Sequence, residues 1–147
     1  MLALTKKTGY GLIAMTYLAR LGEGQVASAR EIAGEFELPT SLMMNVLKKL
    51  GSADYVESVR GARGGYRLAV RVEDVSLADL ITALERPIRL AECVADGRKY
   101  DDEAICPIVD RCPVAGPVHR VQRKLSDFLK QVSLADIVEP ELAAEKE

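Results

Sequence analysis

The sequence is poor in histidine, the side chain that acts most often as a general acid or base in enzymes. Its 147 residues include a single histidine, His119. This histidine falls on the flank of a predicted helix, and we find no nucleophile–base pair of the kind that acid–base or covalent catalysis requires. We therefore expect that the protein is not an enzyme.

The sequence also lacks a long hydrophobic run. Although 48% of the residues are hydrophobic, no run approaches the roughly eighteen apolar residues of a membrane-spanning helix. The first residues, MLALTKK, lack the charged stretch, apolar core and cleavage site of a signal peptide. We expect a soluble, cytoplasmic protein with one compact domain, or one small domain with an appended element.

Neither sign of charge dominates, because the formal net charge is only −2. The two halves nevertheless differ. Residues 1–72 contain ten Lys/Arg and six Asp/Glu, whereas residues 73–147 contain ten Lys/Arg and sixteen Asp/Glu. A basic half followed by an acidic half indicates that the N-terminal half contacts an anion.

Three helices are predicted in the N-terminal half. The first covers residues 8–21. Ser28 and Glu31 have the capping-box spacing that begins a short second helix. Pro39 precedes a third helix that runs to about Leu50, since proline is tolerated in a first helical turn. The apolar residues of the first helix recur at every third position: Leu12, Met15, Leu18 and Leu21.

The third helix is amphipathic. Its apolar residues have the i, i+3, i+4, i+7 spacing of a buried stripe: Met43, Val46, Leu47 and Leu50. The opposite face is polar and basic, with Lys49 near its edge. Two short helices joined by a brief turn are typical of a helix-turn-helix, whose second helix enters the major groove of DNA. The candidate DNA contacts on these two helices are Ser28, Thr40, Ser41, Asn45 and Lys48.

A β-hairpin is predicted directly after these helices. Two β-rich runs within residues 55–70 flank a glycine-rich turn, GARGG. We expect the charges of this hairpin to be positive and to come from Arg60, Arg63 and Arg67. Arginine offers forked donors to phosphate or to a narrow minor groove, so the hairpin has the features of a DNA-binding wing.

The C-terminal half contains one long loop and one long helix. Ser76 and Asp79 begin a helix that ends before Pro87. Residues 88–116 show no sustained periodicity, and loops of this length are usually functional or disordered. A long helix then begins at about Gly116. Its apolar residues form a heptad seam: Val118, Val121, Leu125, Phe128 and Val132.

Such a seam can pack on its own domain or on a second copy of the chain. We favour a homodimer, because dimers match two-fold DNA operators. After the seam, Ser133 and Asp136 cap a short last turn. The fold class is therefore mainly α with a small β-hairpin. We expect a winged helix-turn-helix DNA-binding domain, a cysteine-containing loop, a long dimerisation helix and a flexible tail, over residues 1–86, 87–116, 117–138 and 139–147.

The three cysteines, Cys93, Cys106 and Cys112, all lie in the predicted loop. An odd number of cysteines in a cytoplasmic chain is unsuited to a disulfide framework. Structural zinc sites favour pairs separated by about two to four residues, whereas the intervals here are twelve and five residues. Thiolates on an irregular loop can also hold an iron–sulfur cluster. Cluster, zinc and free thiols all remain open on spacing alone, with His119 expected as a surface residue rather than a ligand.

Several motifs together resemble the Rrf-type bacterial transcription regulators, a family that includes the Isc and Suf iron–sulfur assembly regulators and the nitric-oxide-sensing repressors. The resemblance covers roughly residues 1–138. Within the family, the sequence most resembles a Suf-system regulator. The motifs are VESVRGARGGYRLA, SLADLITALERPI, the AEC that follows, the C-x5-C-P of the loop and VSLADI near the end.

The resemblance implies a winged helix-turn-helix, a dimerisation helix, and an iron–sulfur cluster held by Cys93, Cys106 and Cys112. Some members carry a ligating histidine where this chain has Ala115, and others a carboxylate where it has Gly9. The fourth ligand is therefore not identified, and both the 2Fe–2S and the 4Fe–4S types remain open. Met44 stands where family members can carry a polar base-reading residue, which predicts a different operator.

The sequence thus predicts a dimeric repressor that binds a double-stranded DNA operator and senses cluster, iron or redox status. Two alternatives remain. One is a cluster-free thiol-redox regulator, in which Cys106 and Cys112 pair under oxidation. The other is an iron–sulfur carrier or electron-transfer protein, for which the three wing arginines would have no purpose.

Overall fold

Six α-helices and a two-stranded hairpin form the part of the chain that this computed structural model describes, residues 3–91 and 106–138. The expectations for Cys93 and for the tail over 139–147 lie outside these residues. The prediction of a mainly helical chain with a small hairpin is confirmed. The elements are α1 (Lys6–Leu21), α2 (Ala29–Glu35), α3 (Thr40–Ser52), β1 (Val56–Val59), β2 (Gly65–Leu68), α4 (Leu77–Leu84), α5 (Ala115–Gln131) and α6 (Ala135–Val138).

Side-chain caps fix where the short helices begin. The Ser28 hydroxyl accepts from the Glu31 backbone N–H at 3.1 Å, while the Glu31 carboxylate accepts from the Ser28 N–H at 2.6 Å. Ser76 and Asp79 form the same reciprocal pair at the start of α4. Both predicted capping boxes are confirmed. None of the helices in the described ranges is long and apolar enough to cross a membrane.

The core lies between α1, α2, α3 and α4, and α3 is central to it. The four apolar residues predicted as its buried stripe are all at most 2% exposed. α3 packs against α1 and α2 on one side and against α4 and β1 on the other. Because these elements cover its apolar face and hold the helix in place, the polar face of α3 points outward.

The predicted apolar face of α1 is partly wrong. Met15 and Leu18 are buried, but Leu12 is only half-buried and Leu21 is 40% exposed. A step of three residues turns a helix by about 300°, so a strict three-residue series drifts around the helix. Four of the buried residues are instead separated by steps of three, four and three, namely Thr8, Gly11, Met15 and Leu18, and Ala14 lies beside Met15 on the same side.

Two glycines permit close packing around this core. A Cβ on Gly11 would lie 2.2 Å from Leu84 Cδ1, so the absence of a side chain lets α1 approach the end of α4. A Cβ on Gly65 would lie 2.4 Å from the Ala27 backbone oxygen. Ala27 exchanges two backbone hydrogen bonds with Tyr66, at 2.9 and 2.8 Å. The hairpin is thereby joined to the segment that precedes α2.

α5 stands apart from this core. It packs on α4, and it begins at Ala115, one residue before the predicted start. It ends at Gln131, so Val132 of the predicted seam lies just past the helix as its C-cap. The chain then returns to the core: Leu134 donates its backbone N–H to Val75 O at 2.8 Å, and its side chain is 1% exposed.

Candidate nucleic-acid interface and cysteine segment

The outer face of α3 is polar and fully accessible. Thr40, Ser41, Asn45 and Lys48 are all exposed, which agrees with their assignment to the face opposite the buried stripe. Met44 lies on the accessible surface of the same helix and is 44% exposed. A rigid helix with exposed amide, hydroxyl and ammonium groups can offer hydrogen bonds to base edges and phosphates.

Ser28 is placed differently from the other candidates. It is half-buried, and its hydroxyl oxygen caps α2 by accepting from Glu31 N. The geometry therefore gives Ser28 a structural role, and the hydroxyl is less available to a ligand than those of Thr40 and Ser41.

The hairpin is positive only at its tip, which corrects the expectation that all of its charges are positive. Arg60 and Arg63 are exposed in the connection between β1 and β2. Arg67 lies directly opposite Glu57 in the strand register, and the two side chains form an ion pair. Since a cross-strand partner neutralises Arg67, the accessible positive charge of the wing is that of Arg60 and Arg63.

A cavity of about 550 Å³ lies between the first turn of α1 and the outer side of α3. Sequence reasoning placed Lys49 at the edge of the α3 face but missed the α1 side, whose only signal was the doublet Lys6-Lys7. Lys7 lies next to Lys49, and repulsion between their ammonium groups lowers the pKa of Lys49. We call the four lysines that line this cavity the lysine cluster: Lys6, Lys7, Lys48 and Lys49.

The described cysteines flank a short turn that includes a one-turn 3₁₀-helix, Val109–Arg111, just before α5. The Cys106 carbonyl accepts from Val109 N at 3.0 Å, and the Cys112 N–H donates to Val109 O at 3.3 Å. Both thiols are free and half-buried. Within residues 3–91 and 106–138 no three His, Cys, Asp or Glu side chains come together as a metal site.

His119 lies on α5, four residues after Ala115, and is half-buried. The structure therefore does not bring it into a ligand group with the two described thiols, and its expected role as a non-ligand stays a prediction.

A buried glutamine joins the start of the cysteine segment to α5, and sequence reasoning missed it. Gln122 is 2% exposed. Its Oε1 accepts from Leu90 N at 2.8 Å, and its Nε2 donates to Ile88 O at 2.8 Å and to Ser126 Oγ at 3.2 Å. A glutamine among the charged residues of α5 gives no sequence signal of burial, because its partners are distant backbone groups.

The C-terminal end of α4 is hydrogen-bonded to both α1 and α3. Lys49 Nζ donates to Leu84 O at 2.9 Å, which joins α4 to α3. The buried Thr8 hydroxyl donates to Glu85 Oε1 at 3.0 Å, which joins it to α1. The chain that leads toward the cysteines is thus held by α1, α3 and α5 within seven residues, from Leu84 to Leu90.

Comparisons with known proteins agree with this architecture. A family profile described as Rrf2, iron-dependent transcriptional regulator, matches residues 4–140. CymR of B. subtilis, the global cysteine regulator, is 26% identical, with 95% of this chain and 98% of that chain covered and a TM-score of 0.70.

Two further solved structures are similar over most of their length. A transcriptional regulator from Listeria innocua is 31% identical, with 93% of this chain and 86% of that chain covered and a TM-score of 0.72. IscR of T. potens is 26% identical, with coverages of 95% and 88% and a TM-score of 0.69. With its helix-turn-helix, hairpin and match over 4–140, this chain belongs to the Rrf2 family, whose members are DNA-binding transcriptional regulators and not enzymes.

Proposed function

We propose that the protein is a homodimeric, iron–sulfur-cluster-dependent transcriptional repressor of the Suf-regulator type. In this proposal α3 and the wing tip bind a double-stranded operator, and a cluster held by Cys93, Cys106 and Cys112 sets the affinity. The observation that carries the proposal is the hydrogen bond from Lys49 on α3 to Leu84 O. It joins the DNA-facing helix to the chain that leads into the cysteine segment.

The DNA-binding surface divides by chemistry. Ser41 and Asn45 have the hydroxyl and amide groups that read base edges in the major groove. Thr40, Lys48, Arg60 and Arg63 are suited to phosphate, which positions a protein without specifying sequence. Ser28 and Arg67 contribute less, because each is already engaged within the chain.

The donor set fits a cluster as far as the structure describes it. Cys106 and Cys112 are free, half-buried thiols on an irregular turn, and thiolates are the usual ligands of iron–sulfur clusters. The family description as iron-dependent supports the same metal. When bound, a cluster would supply a redox-active iron centre held by Cys93, Cys106 and Cys112. The 2Fe–2S and 4Fe–4S types are both compatible with these thiols.

In this proposal, hydrogen bonds within the protein couple the cluster segment to the DNA-binding face of α3. A shift of the chain near Leu84 changes the position of Lys49, and through α3 it changes the orientation of Asn45 and Lys48. A ligand can shift such an equilibrium only by its differential affinity for the two states, and about 1–3 kcal/mol is a typical coupling. The hydrogen bonds that Leu84 and Glu85 accept at the C-terminal end of α4 have free energies large enough to supply a coupling of this magnitude.

The homodimer rests on the exposure of two residues in the predicted seam of α5, whose other three residues are half-buried. Val121 is 55% exposed and Phe128 is 60% exposed in the single chain. Large apolar side chains in a row on a helix surface usually mark an interface. A two-fold dimer would present two copies of α3 to an operator with two half-sites.

A second candidate is the cluster-free thiol regulator. The observation in its favour is that Cys106 and Cys112 lie on either side of the same short turn, both as free thiols. In this case oxidation would join the two sulfurs directly, with a two-electron oxidant such as a peroxide taking up the electrons.

Anaerobic purification tests the proposal against this alternative. We expect a coloured protein that contains iron and sulfide. Changing Cys93, Cys106 or Cys112 to serine should each remove the visible absorption, because a hard hydroxyl replaces a soft thiolate. The matched control is His119→Ala, which should keep the spectrum.

DNA binding is then measured for the coloured and the iron-depleted protein. A difference in affinity between the two supports the sensor. A colourless protein whose DNA affinity responds to oxidation, and stops responding in Cys106→Ser, would establish the thiol regulator instead. Loss of colour in His119→Ala to the extent seen in Cys112→Ser would make the histidine a ligand.

A further inference from the structure

The lysine cluster is a positively charged surface, and the predicted DNA contacts include only Lys48 of its four lysines. Lys6 and Lys7 come from the first turn of α1, and Lys48 and Lys49 come from α3. The other four lining residues are Tyr10, Leu42, Asn45 and Val46, so the described lining contains no acidic side chain. The ion pairs in the described part of the chain, Arg67–Glu57 and Arg71–Glu73, lie elsewhere.

The positive charges of the cluster are held close together. Lys49 is fixed by its hydrogen bond to Leu84 O, and Lys7 lies beside it and lowers the pKa of Lys49. Glu85 opposes this effect, but it is the weakest of the influences on Lys49 and its carboxylate also accepts from Thr8. Two adjacent ammonium groups without a paired carboxylate make a site that an anion would stabilise.

The cluster is continuous with the proposed DNA-binding face of α3. Asn45 and Lys48 line the cavity and also belong to the outer face of that helix. A helix that lies in the major groove has a phosphate backbone along each side of it. The first turn of α1 is beside α3, where one of those backbones would pass.

We propose that Lys6 and Lys7, together with Lys48 and Lys49, form a phosphate-binding site for the DNA backbone at the edge of the major groove that α3 enters. This inference rests on the proposed DNA-binding role of α3. Its occupant is duplex DNA, contacted without regard to sequence, and not a free small anion. The proposed site means that α1 contacts the DNA, in addition to α3 and the wing.

The test compares matched double variants by salt dependence. Lys6→Gln/Lys7→Gln removes two charges from the cluster, and Lys124→Gln/Lys130→Gln removes two exposed charges from α5 as the control. Affinity is measured by fluorescence anisotropy at several potassium chloride concentrations. The probes are a duplex selected by the wild-type protein from a random library, and a random-sequence duplex of equal length.

Each phosphate contact contributes about −0.9 to the slope of log K against log salt. We therefore expect the slope for Lys6→Gln/Lys7→Gln to become less steep by about 2, with equal fold-losses on both duplexes. The control should keep the wild-type slope. Lys6→Arg/Lys7→Arg, which retains the charges, should also keep it, and thermal unfolding confirms that each variant is folded.

Arg60→Ala/Arg63→Ala separates failure of this inference from failure of the proposed function. If the arginine variant loses slope and the lysine variant does not, the wing binds DNA and the lysine site is refuted. If neither loses slope, the proposed DNA surface fails as well. A loss confined to the selected duplex would also refute a phosphate site. So would saturable calorimetric binding of inorganic phosphate that Lys6→Gln/Lys7→Gln removes while its DNA slope stays unchanged.

Discussion

α3 and α5 have apolar residues at the same three- and four-residue intervals, but only α3 buries all of them within the chain. Met43, Leu47 and Leu50 on α3 are fully buried. On α5, Val121 and Phe128 are more than half exposed. The spacing of apolar residues therefore indicates that a helix has an apolar face, whereas the surrounding elements decide what covers that face.

The other side of α5 explains why the seam is left open. Gln122 and Ser126 lie on the side that packs on the chain near Leu90, so α5 is attached to its own chain through a partly polar face. By helical geometry this face is roughly 130° from Val121 and Phe128. This exposed apolar face is the interface of the proposed homodimer, because a second copy of the chain would match a two-fold operator.

The largest effect should come from placing a charge on the exposed seam. Val121→Glu would put one carboxylate from each subunit into an apolar dimer interface, at a cost of several kcal/mol for each buried charge. We expect the variant to sediment as a monomer at micromolar concentration, where we expect the wild type to be a dimer. Because a monomer presents only one α3, its affinity for the operator should also fall.

Arg123→Glu is the control for this experiment, because it introduces a larger charge change on the opposite side of the same helix, where the residue is exposed. It should remain a dimer. A monomeric wild-type protein, or a dimeric Val121→Glu variant, would show that the seam is not the interface.

A smaller effect distinguishes α3 from α5, because only the stability contributed by α5 should depend on protein concentration. Leu47→Ala on α3 should lower the free energy of unfolding by about 2–5 kcal/mol, through lost burial and a residual cavity. This loss should be the same at every protein concentration. Phe128→Ala should destabilise the protein at high concentration but have little effect on the diluted monomer, because dimer stability depends on concentration.

Urea unfolding at two concentrations about a hundredfold apart measures both variants. If the cost of Phe128→Ala does not depend on concentration, the ring is stabilising its own chain and α5 has no partner. Leu47→Ala supplies the reference for a face that is covered within one chain.

The features that the sequence predicted correctly depend on residues close together in the chain. The capping boxes at Ser28 and Ser76 need a partner only three residues away. The buried stripe of α3 and the hairpin turn are likewise local patterns, and the hairpin register follows from the turn. For these elements local sequence and overall fold agree.

The features that the sequence missed depend on elements that are distant in the chain. The residues of the Thr8–Glu85 bond are 77 positions apart, and those of the Lys49 bond to Leu84 O are 35 positions apart. The buried side of α1 is set by Leu84 over Gly11 rather than by its own leucine spacing. No periodicity within one helix contains this information.

The smallest of the three effects concerns the polar face of α5. Gln122→Met keeps the volume of the side chain but removes the partners of Leu90 N and Ile88 O. Each of these part-buried hydrogen bonds contributes about 0.5–1.5 kcal/mol. Since 1.4 kcal/mol is a factor of ten, we expect the Leu90 amide to exchange hydrogen with solvent about tenfold faster, while amides in α3 keep their protection.

Gln122→Glu separates the two halves of this contact, because a carboxylate still accepts from Leu90 N but no longer donates to Ile88 O. Its Leu90 amide should remain closer to the wild-type exchange rate than that of Gln122→Met. Gln131→Met, an exposed change near the end of the same helix, should leave the rate unaltered. If Gln122→Met also leaves it unaltered, α5 does not hold the start of the cysteine segment. The only chain contacts joining that segment to the DNA side would then be those made by α1 and α3 at the end of α4.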